Sequence, residues 1–523
     1  MLSLLLAVAI TTIVENQKPG TADWDLTNPA EAREIEGYAS ATSVNGGEAI
    51  DLFVHTTAAR YTIDVFRMGW YGGAGARRVA GPIERAGVAQ IAPPPDAVTG
   101  LVDCDWRDPY RLETRDAAGA WTTGVYLARL TIIPGPRGGA GKQSFIVFVV
   151  RDDARETPIV FQSSVTTFAA YNNWGGKSLY GFNSGNAPAR KVSFNRPYAS
   201  NPYGVRLDGA SDFLRRWEYN AIRFLEGDGY DLTYLTDVDT HQREVPRGAR
   251  IFLSVGHDEY WSWAMRDHVE AARDRGVHLA FLGADACFWQ IRFEPDARGA
   301  PDRTLVAYKE AAGDLDPLAI DSDPRNNRLI TGRWRDRPTS RPEERLIGVM
   351  YAADPVDADI VVSNASHWVF EGSGLREGDA LRGLLGYEVD AIYGGGPATL
   401  ERLAHSPFVE RAGPGEKTAE TRYSDMTIYT AASGALVFAT GSIQWSWGLD
   451  GYNAPAWHTL RVSDAAQRMT RNVLGRMLQG PSTPRIQTSA RPSPIVAIAA
   501  VIAAAFVLRA WLNRPGRKQV GSG

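Results

Sequence analysis

The order of apolar and polar residues divides the chain into a strand-rich part and a part where strands alternate with helices. Between residues 34 and 150, the segments 47–56, 59–71, 121–133 and 142–150 alternate apolar and polar side chains with a period of two, as half-buried strands do. A Gly/Pro-rich turn at 134–141 separates the last two. Short strands without helical stretches between them predict a β-sandwich of about 110 residues.

From about residue 157 the pattern changes to apolar strands separated by segments of helical period. Strands are expected within 157–165, 230–239, 249–256 and 277–289, and helices within 213–230 and 262–276, ending at Gly227 and Gly276. Such alternation predicts a parallel sheet with helices on its faces. Residues 301–420 show no regular pattern, whereas a late strand within 435–450 and a closing helix at 463–478 complete this part.

Two apolar segments stand at the ends of the chain. Residues 1–14 carry no charge until Glu15 and resemble a signal or short anchor segment without its basic start, or alternatively a buried first strand. Residues 494–512 approach the length that spans a bilayer, and a buried core helix is the alternative. A Pro/Ser-rich stalk at 481–493 precedes this segment and a basic tail at 513–523 follows it. The positive-inside rule then predicts a single-pass C-terminal anchor with the main body outside the cytoplasm.

Composition and cysteine content narrow the function classes. The net charge of −4 argues against a nucleic-acid-binding protein, which usually carries a basic stripe. Cys104 and Cys287 form no CxxC pair, which excludes a zinc ribbon or thioredoxin-type site. The two cysteines are compatible with one disulfide or with two separate buried thiols.

The strongest candidate site follows the strand at 249–256, which leads directly into the segment Gly256-His257-Asp258-Glu259-Tyr260-Trp261. Ligands of open α/β sheets bind at the carboxyl ends of the strands. The acid–base and metal-ligating side chains of this segment are therefore expected at the edge of the sheet where a ligand would bind. We expect His257 and Glu259 to face the crevice. Asp258 is expected to cap the following helix.

Two further segments should reach the same edge of the sheet. Asp285 follows the next strand, so it is expected near His257, where it could orient the imidazole or accept a proton; the alternative is a turn-forming aspartate. The aromatic and Gly-rich loop from Ala170 to Tyr180 leaves the first strand, and its phenols are either metal ligands or packed rings, with packing favoured by spacing. HExxH, GxSxG and P-loop motifs are missing from the sequence.

The segments that carry these residues resemble a known family. AYNNWGGKSLYGF, VGHDEYWSWAMRDHV, FLGADACFWQIRFE, GYEVDAIYG and ATGSIQWSWGLD, with VFRMGWYGGAGARR nearer the start, are similar to the large (β) subunit of N,N-dimethylformamidase and its bacterial relatives, over about residues 15–480. The resemblance implies a β-sandwich at 15–152 followed by a glutamine amidotransferase-like α/β domain at 153–480. With the C-terminal transmembrane helix, these domains make up the expected fold.

The resemblance also implies chemistry. The family's enzyme is a mononuclear iron hydrolase, and its ferric ion is held by two tyrosine phenolates and one glutamate, which correspond to Tyr171, Tyr180 and Glu259. Its catalytic residues correspond to His257, Glu388 and Asp285. The family has Asn at the last position, and an ionised Asp lacks the amide donor that Asn offers.

The implied activity is hydrolysis of small amide C–N bonds by an iron-activated water, in a membrane-anchored enzyme. The family enzyme works with a small accessory subunit, and homo-oligomerisation is left open. Two alternatives remain: an extracytoplasmic binding or envelope protein that keeps the fold without turnover, and a carbohydrate-active protein. The latter would need two carboxylates opposed across a cleft.

Overall fold

The computed structural model of the chain describes residues 11–135, 139–199, 208–215, 217–321, 323–409, 420–453 and 462–479. The described residues up to Leu478 pack as one unit, and one large apolar cluster runs through both its N-terminal and its later part. The domain boundaries at 15–152 and 153–480 therefore stay predictions.

Two sheets build the N-terminal part. The strand orders of these two sheets are β1-β3-β6 and β2-β10-β9-β4-β5, and β7 pairs separately with β8. A cluster of buried residues from both sheets, including Leu52, Ile63 and Phe148, lies between them. The strands are β1 Ile35–Ala39, β2 Ser43–Asn45, β3 Ala49–Thr56, β4 Arg60–Met68, β5 Ala76–Ala86, β6 Tyr110–Glu113, β7 Arg115–Asp116, β8 Gly119–Ala120, β9 Gly124–Ile132 and β10 Gln143–Arg151.

A seven-stranded sheet of order β13-β11-β14-β16-β23-β22-β21 forms the centre of the later part. Its first five strands pair in parallel, and the last two add antiparallel. The strands are β11 Ile159–Ser163, β12 Lys191–Ser193, β13 Leu232–Thr236, β14 Ile251–His257, β15 Tyr260–Ser262, β16 His278–Ala284, β17 Trp289–Glu294, β18 Thr304–Val306, β19 Met350–Val361, β20 Ala380–Ala391, β21 Glu401–Val409, β22 Thr421–Thr430 and β23 Leu436–Ala439. The chain order reverses between β11 and β14, and such switch points are where doubly wound sheets bind ligands.

The helices connect the parallel strands. Thr236 opens α5 and Ser262 opens α6 by accepting a hydrogen bond from the third residue of the helix. The helices are α1 Thr12–Glu15, α2 Val165–Tyr171, α3 Asp212–Arg215, α4 Glu218–Gly227, α5 Asp237–Gln242, α6 Trp263–Asp274, α7 Ala312–Leu315, α8 Pro317–Ile320, α9 Glu344–Ile347 and α10 Asp464–Gln479.

Two expectations about secondary structure are wrong. The helix expected over 213–230 is interrupted at Trp217, whose backbone is not helical (φ −132°, ψ −55°), so α3 and α4 are separate. The segment 301–420 is not irregular, because β18 to β21 lie within it. Three register shifts interrupt the pairing of β19 with β20, so a long antiparallel pair leaves no clean alternation in the sequence.

The prediction of a C-terminal transmembrane helix is not supported by the structure. Among the described residues, no helix is both long and apolar enough to cross a bilayer. The longest of them, α10, has 16 residues and therefore extends only about 24 Å at 1.5 Å per residue. The segments 481–493, 494–512 and 513–523 lie outside the described residues, as does most of 1–14. The single-pass anchor, and the extracytoplasmic placement that followed from it, are thus unsupported.

The two cysteines do not form a disulfide. Cys104 and Cys287 are both free and buried, and they pack into different apolar clusters. Of the two alternatives that the sequence left open, separate buried thiols are the one observed.

A buried ion pair joins the N-terminal part to the α/β part. Arg67 of β4 donates to both carboxylate oxygens of Glu226 in α4, at 2.7 and 3.0 Å, and both side chains are completely buried. The Tyr234 hydroxyl donates to the same carboxylate at 2.7 Å, and Asn16 Nδ2 donates to it at 2.6 Å. Every oxygen of the pair is therefore satisfied, as a buried charge requires.

Removing one partner should leave an uncompensated buried charge. We expect Arg67→Met to lower the free energy of unfolding by about 3–5 kcal/mol, measured by urea denaturation. Arg60→Met is the matched control, because the Arg60–Glu84 pair in the same sheet is more than half exposed and should cost under about 1 kcal/mol. Equal losses in the two variants would contradict the role of the buried pair.

Candidate functional site

The tips of β14 and β16 meet so closely that only glycine fits between them. A Cβ on Gly283 would lie 2.1 Å from the carbonyl oxygen of Gly256, and Gly256 itself has a φ of +71°. His257 ends β14 directly after Gly256, and Asp285 follows β16 with a φ of +54°. The close contact therefore brings these two side chains together, as the sequence predicts.

Two tyrosine hydroxyls converge on the carboxylate of Glu259. Tyr171 donates to Oε2 at 3.0 Å, and Tyr180 donates to Oε1 at 2.8 Å. The two phenol rings stack with their centroids 4.2 Å apart, and Tyr260 donates to the Tyr180 hydroxyl at 2.6 Å. The Glu259 backbone N–H is held by the Thr167 hydroxyl at 3.0 Å. The phenols of Tyr171, at the end of α2, and Tyr180 thus stack on each other and direct their hydroxyls to one carboxylate.

His257 lies between two glutamates. Its Nε2 is 3.2 Å from Glu259 Oε2 and 3.1 Å from Oε2 of Glu388, which β20 supplies. His257, Asp285 and Glu388 each offer a ligand atom, and these atoms all lie within 4.8 Å of one another. The Asp285 backbone N–H is fixed by the carboxylate of Asp390 at 2.9 Å.

Burial and mutual repulsion decide the protonation of this group. Burial opposes a charge on His257, but Glu388 and Glu259 outweigh it and hold the pKa of His257 well above its usual value. Burial raises the pKa of Glu388, and His257 offsets only part of that. Burial together with the carboxylates of Glu259 and Glu388 holds the pKa of Asp285 well above its usual range. Although burial opposes it, His257 lowers the pKa of Glu259.

Asp258 does not cap α6, contrary to the expectation. Its carboxylate accepts hydrogen bonds from Gln162 Nε2 at 2.9 Å, Ser254 Oγ at 2.7 Å and Trp261 Nε1 at 2.7 Å, while Ser262 provides the cap. These three bonds fix the turn between β14 and β15. Asp258 therefore sets the direction in which its neighbour Glu259 projects.

The donor set suits a cation. His257 Nε2 and Glu388 Oε2 contact each other at 3.1 Å as an ion pair without hydrogen-bond geometry, and among the described residues Asp285 Oδ1 has no hydrogen-bond partner. A buried carboxyl oxygen without a partner, in a pocket of excess carboxyl groups, fits a positive ligand. Two overlapping donor sets are present. Tyr171, Tyr180 and Glu259 offer only hard oxygen atoms, which suit a ferric ion, and His257, Asp285 and Glu388 offer one nitrogen and two carboxyl groups.

Sequence reasoning missed Lys309. Its ammonium lies 3.6 Å from the ring centroid of Tyr180 and 4.9 Å from that of Trp289. Burial lowers the pKa of Lys309, and the Glu259 carboxylate opposes that effect. The residue lies in the segment that seemed irregular, and only the structure shows that it borders the site.

These observations define an α/β protein with acid–base groups and a candidate metal centre at the switch point of a parallel sheet. The model of the family described as "N,N-dimethylformamidase beta subunit-like, C-terminal" matches residues 62–458, well over half of the chain. The chain belongs to this family, as its sequence motifs indicate.

Two curated relatives are each named N,N-dimethylformamidase beta subunit. The one from Alcaligenes sp is 24% identical over 375 residues, and the one from Paracoccus aminophilus is 24% identical over 372 residues. Each alignment covers 64% of this chain and 46% of the relative. The chain thus spans about half the length of the relatives that it matches.

A further buried acid, Glu218 of α4, contacts the end of β11 and makes the stability of the protein depend on pH. Glu218, at 1% exposure, accepts hydrogen bonds from Ser163 Oγ and the Ser164 N–H, each at 2.7 Å. Burial raises the pKa of Glu218 to about 8, although these two bonds partly offset it. Between about pH 4.5 and 8, Glu218 is therefore protonated in the folded state and ionised in the unfolded state. The free energy of unfolding falls as the pH rises through this range, because the unfolded state releases the proton.

We expect Glu218→Gln to flatten the pH dependence of stability. Between pH 5 and 8 the variant should lose on the order of 3 kcal/mol less unfolding free energy than the wild type, measured by urea denaturation at each pH. Glu84→Gln, at a half-exposed position, is the control and should leave the profile unchanged. An unchanged slope in Glu218→Gln would show that Glu218 is ionised in the folded protein.

Proposed function

We propose that this chain hydrolyses the C–N bond of small amides in a metal-dependent reaction, as a dimethylformamidase-like enzyme. One observation carries the proposal: two phenols and a glutamate converge, and a histidine paired with a second glutamate lies directly beside them. Membership of the family supports the same reaction class. The substrate and any partner subunit are part of the proposal, because the chain spans only part of its relatives.

A mononuclear iron would be held by Tyr171, Tyr180 and Glu259. Phenolate and carboxylate oxygens are hard ligands that a ferric ion prefers. When bound, the ion supplies Lewis-acid polarisation of the amide carbonyl and lowers the pKa of water. The side chains around the ion carry out the proton transfers of the reaction.

Glu388 and His257 are placed to move protons. As water attacks the amide carbon, the Glu388 carboxylate accepts the proton that the water loses. His257, whose raised pKa keeps it protonated, donates a proton to the nitrogen as the C–N bond breaks, so that an acid and an amine are released. Burial and the neighbouring Glu259 and Glu388 raise the pKa of Asp285, and its protonated form would offer the hydrogen-bond donor that an ionised Asp lacks.

Iron binding should depend on Glu259. We expect the purified protein to bind about one ferric ion per chain and to show a visible charge-transfer band from tyrosinate coordination. Glu259→Ala should lose both, as measured by metal analysis and absorption spectroscopy. Glu401→Ala, at an exposed position on β21, is the control. A colourless wild-type protein that stays free of metal after iron loading would remove the hydrolase model, and iron retained by Glu259→Ala would refute this ligand set.

Glu388→Gln separates catalysis from metal binding. We expect the variant to lower kcat for dimethylformamide or another small amide by about 10²–10⁴, with the iron content unchanged. The reason is that a glutamine side chain cannot accept the proton from water. Glu401→Gln should retain wild-type kcat. If Glu388→Gln instead loses the metal, Glu388 is a ligand in the set with His257 and Asp285, and the proton acceptor is a different group.

A further inference from the structure

A cavity of about 220 Å³ is lined by Trp289 and Lys309, and Glu259 is not among its lining residues. The segments at 309–319 and 330–339 enclose it. Trp289 is held against the site by its backbone N–H, which donates to the carbonyl oxygen of Glu259 at 2.9 Å. The lining of the cavity includes Trp289, Lys309, Ala312, Ile330, Gly332 and Thr339. The cavity therefore borders the candidate active site and has walls of its own.

Lys309 is the only buried charged side chain among the residues that line this cavity. The residue is 8% exposed, and among the described residues no carboxylate oxygen lies within 4.0 Å of its ammonium nitrogen. Its backbone has a φ of +59°, which a non-glycine residue rarely adopts, and its N–H donates to the Thr331 carbonyl at 2.9 Å. Such strain at a residue that borders a functional site indicates a constrained side-chain position.

The other charged residues of the cavity form no ion pair with Lys309, although Glu310 at the rim raises its pKa. Arg333 pairs with Asp336 at 2.6 Å, so these two cancel. Arg337 and Glu310 are both exposed at the rim. The lining thus combines one buried lysine, without an ion pair among the described residues, with a small apolar wall that includes Ala312 and Ile330. The ammonium has contacts with two aromatic rings but no carboxylate within ion-pair distance among the described residues, so a directly paired anion would stabilise it, and a short apolar tail on that anion would suit the wall.

We propose that this cavity binds a small organic monocarboxylate, with its carboxylate paired to Lys309 and its alkyl part against Ala312 and Ile330. Such a carboxylate has two sources: the acid that amide hydrolysis releases, or a carboxylate carried by the amide substrate itself. Binding does not rest on the proposed function, whereas the choice between these two sources does.

The test of binding uses the whole 523-residue chain stripped of metal, because carboxylates also ligate metal ions. We expect calorimetric titration with sodium butyrate to show saturable binding at one site, and 1-butanol at equal concentrations to show none. Lys309→Met should raise the Kd for butyrate by about tenfold or more, since a charge-assisted hydrogen bond is lost. Arg337→Met, at the exposed rim, should change it less than about threefold. No butyrate binding, or equal binding by Lys309→Met, would overturn the proposal.

A second variant fills the cavity and leaves Lys309 in place. A Cβ on Gly332 meets nothing within 4 Å, so Gly332→Leu extends into open space. We expect this variant to fold, as judged by circular dichroism, and to lose butyrate binding. Gly475→Leu is the matched control, because its Cβ also meets nothing within 4 Å and the position is in α10, away from the cavity. Unchanged binding by Gly332→Leu would place the carboxylate elsewhere.

Kinetics of the iron-loaded protein distinguish the two sources. If the released acid binds here, butyrate inhibits amide hydrolysis in the wild type, and the inhibition constant rises about tenfold or more in Lys309→Met. If the substrate carries the carboxylate, kcat/KM for succinamate exceeds that for butyramide, and Lys309→Met removes the preference. An inert iron-loaded protein refutes the proposed function, and the metal-free titration still decides whether the cavity binds a carboxylate.

Discussion

Three carboxyl groups and one imidazole share a buried pocket, and their charges cannot all persist there. Burial of an ionised group is expensive unless an opposite charge lies beside it, and His257 can offset only part of the charge on Glu259, Glu388 and Asp285. Burial and the excess of negative charge in this pocket raise the pKa values of Asp285 and Glu388, whereas His257 lowers that of Glu259. A metal ion would resolve this excess by direct charge neutralisation.

The part of the site that the sequence predicts is the part that strand geometry determines. His257, Glu259 and Asp285 follow parallel strands, so the rule that such strands end at one edge is enough to bring them together. The tyrosines required the family resemblance, because a stacked pair of phenols has no sequence pattern that separates ligands from packed rings. Glu388 also required it, since the β19–β20 pair contains register shifts that conceal its period.

The remaining errors have physical reasons too. Asp258 has the residue type of a helix cap, but three donors from Gln162, Ser254 and Trp261 compete for its carboxylate. Lys309 lies in a segment of short helices without amphipathic period, and its position depends on a left-handed backbone conformation that no spacing reveals. The closing helix and the strand-rich N-terminal part were predictable from their regular apolar faces, and the parallel strands were predictable as short apolar runs because they are buried on both faces.

The order in which the pieces of the site occur along the chain affects how the protein folds during synthesis. The tyrosines, His257, Glu259 and Asp285 all precede β19, whereas Glu388 is on β20, and β23, which completes the parallel sheet next to β16, comes later still. A growing chain can thus form β11, β13 and β14 with His257 and Glu259 paired, before the second glutamate has been made. The cluster of His257, Asp285 and Glu388 is therefore completed late, when the β19–β20 pair that carries Glu388 can dock on strands that are already in place.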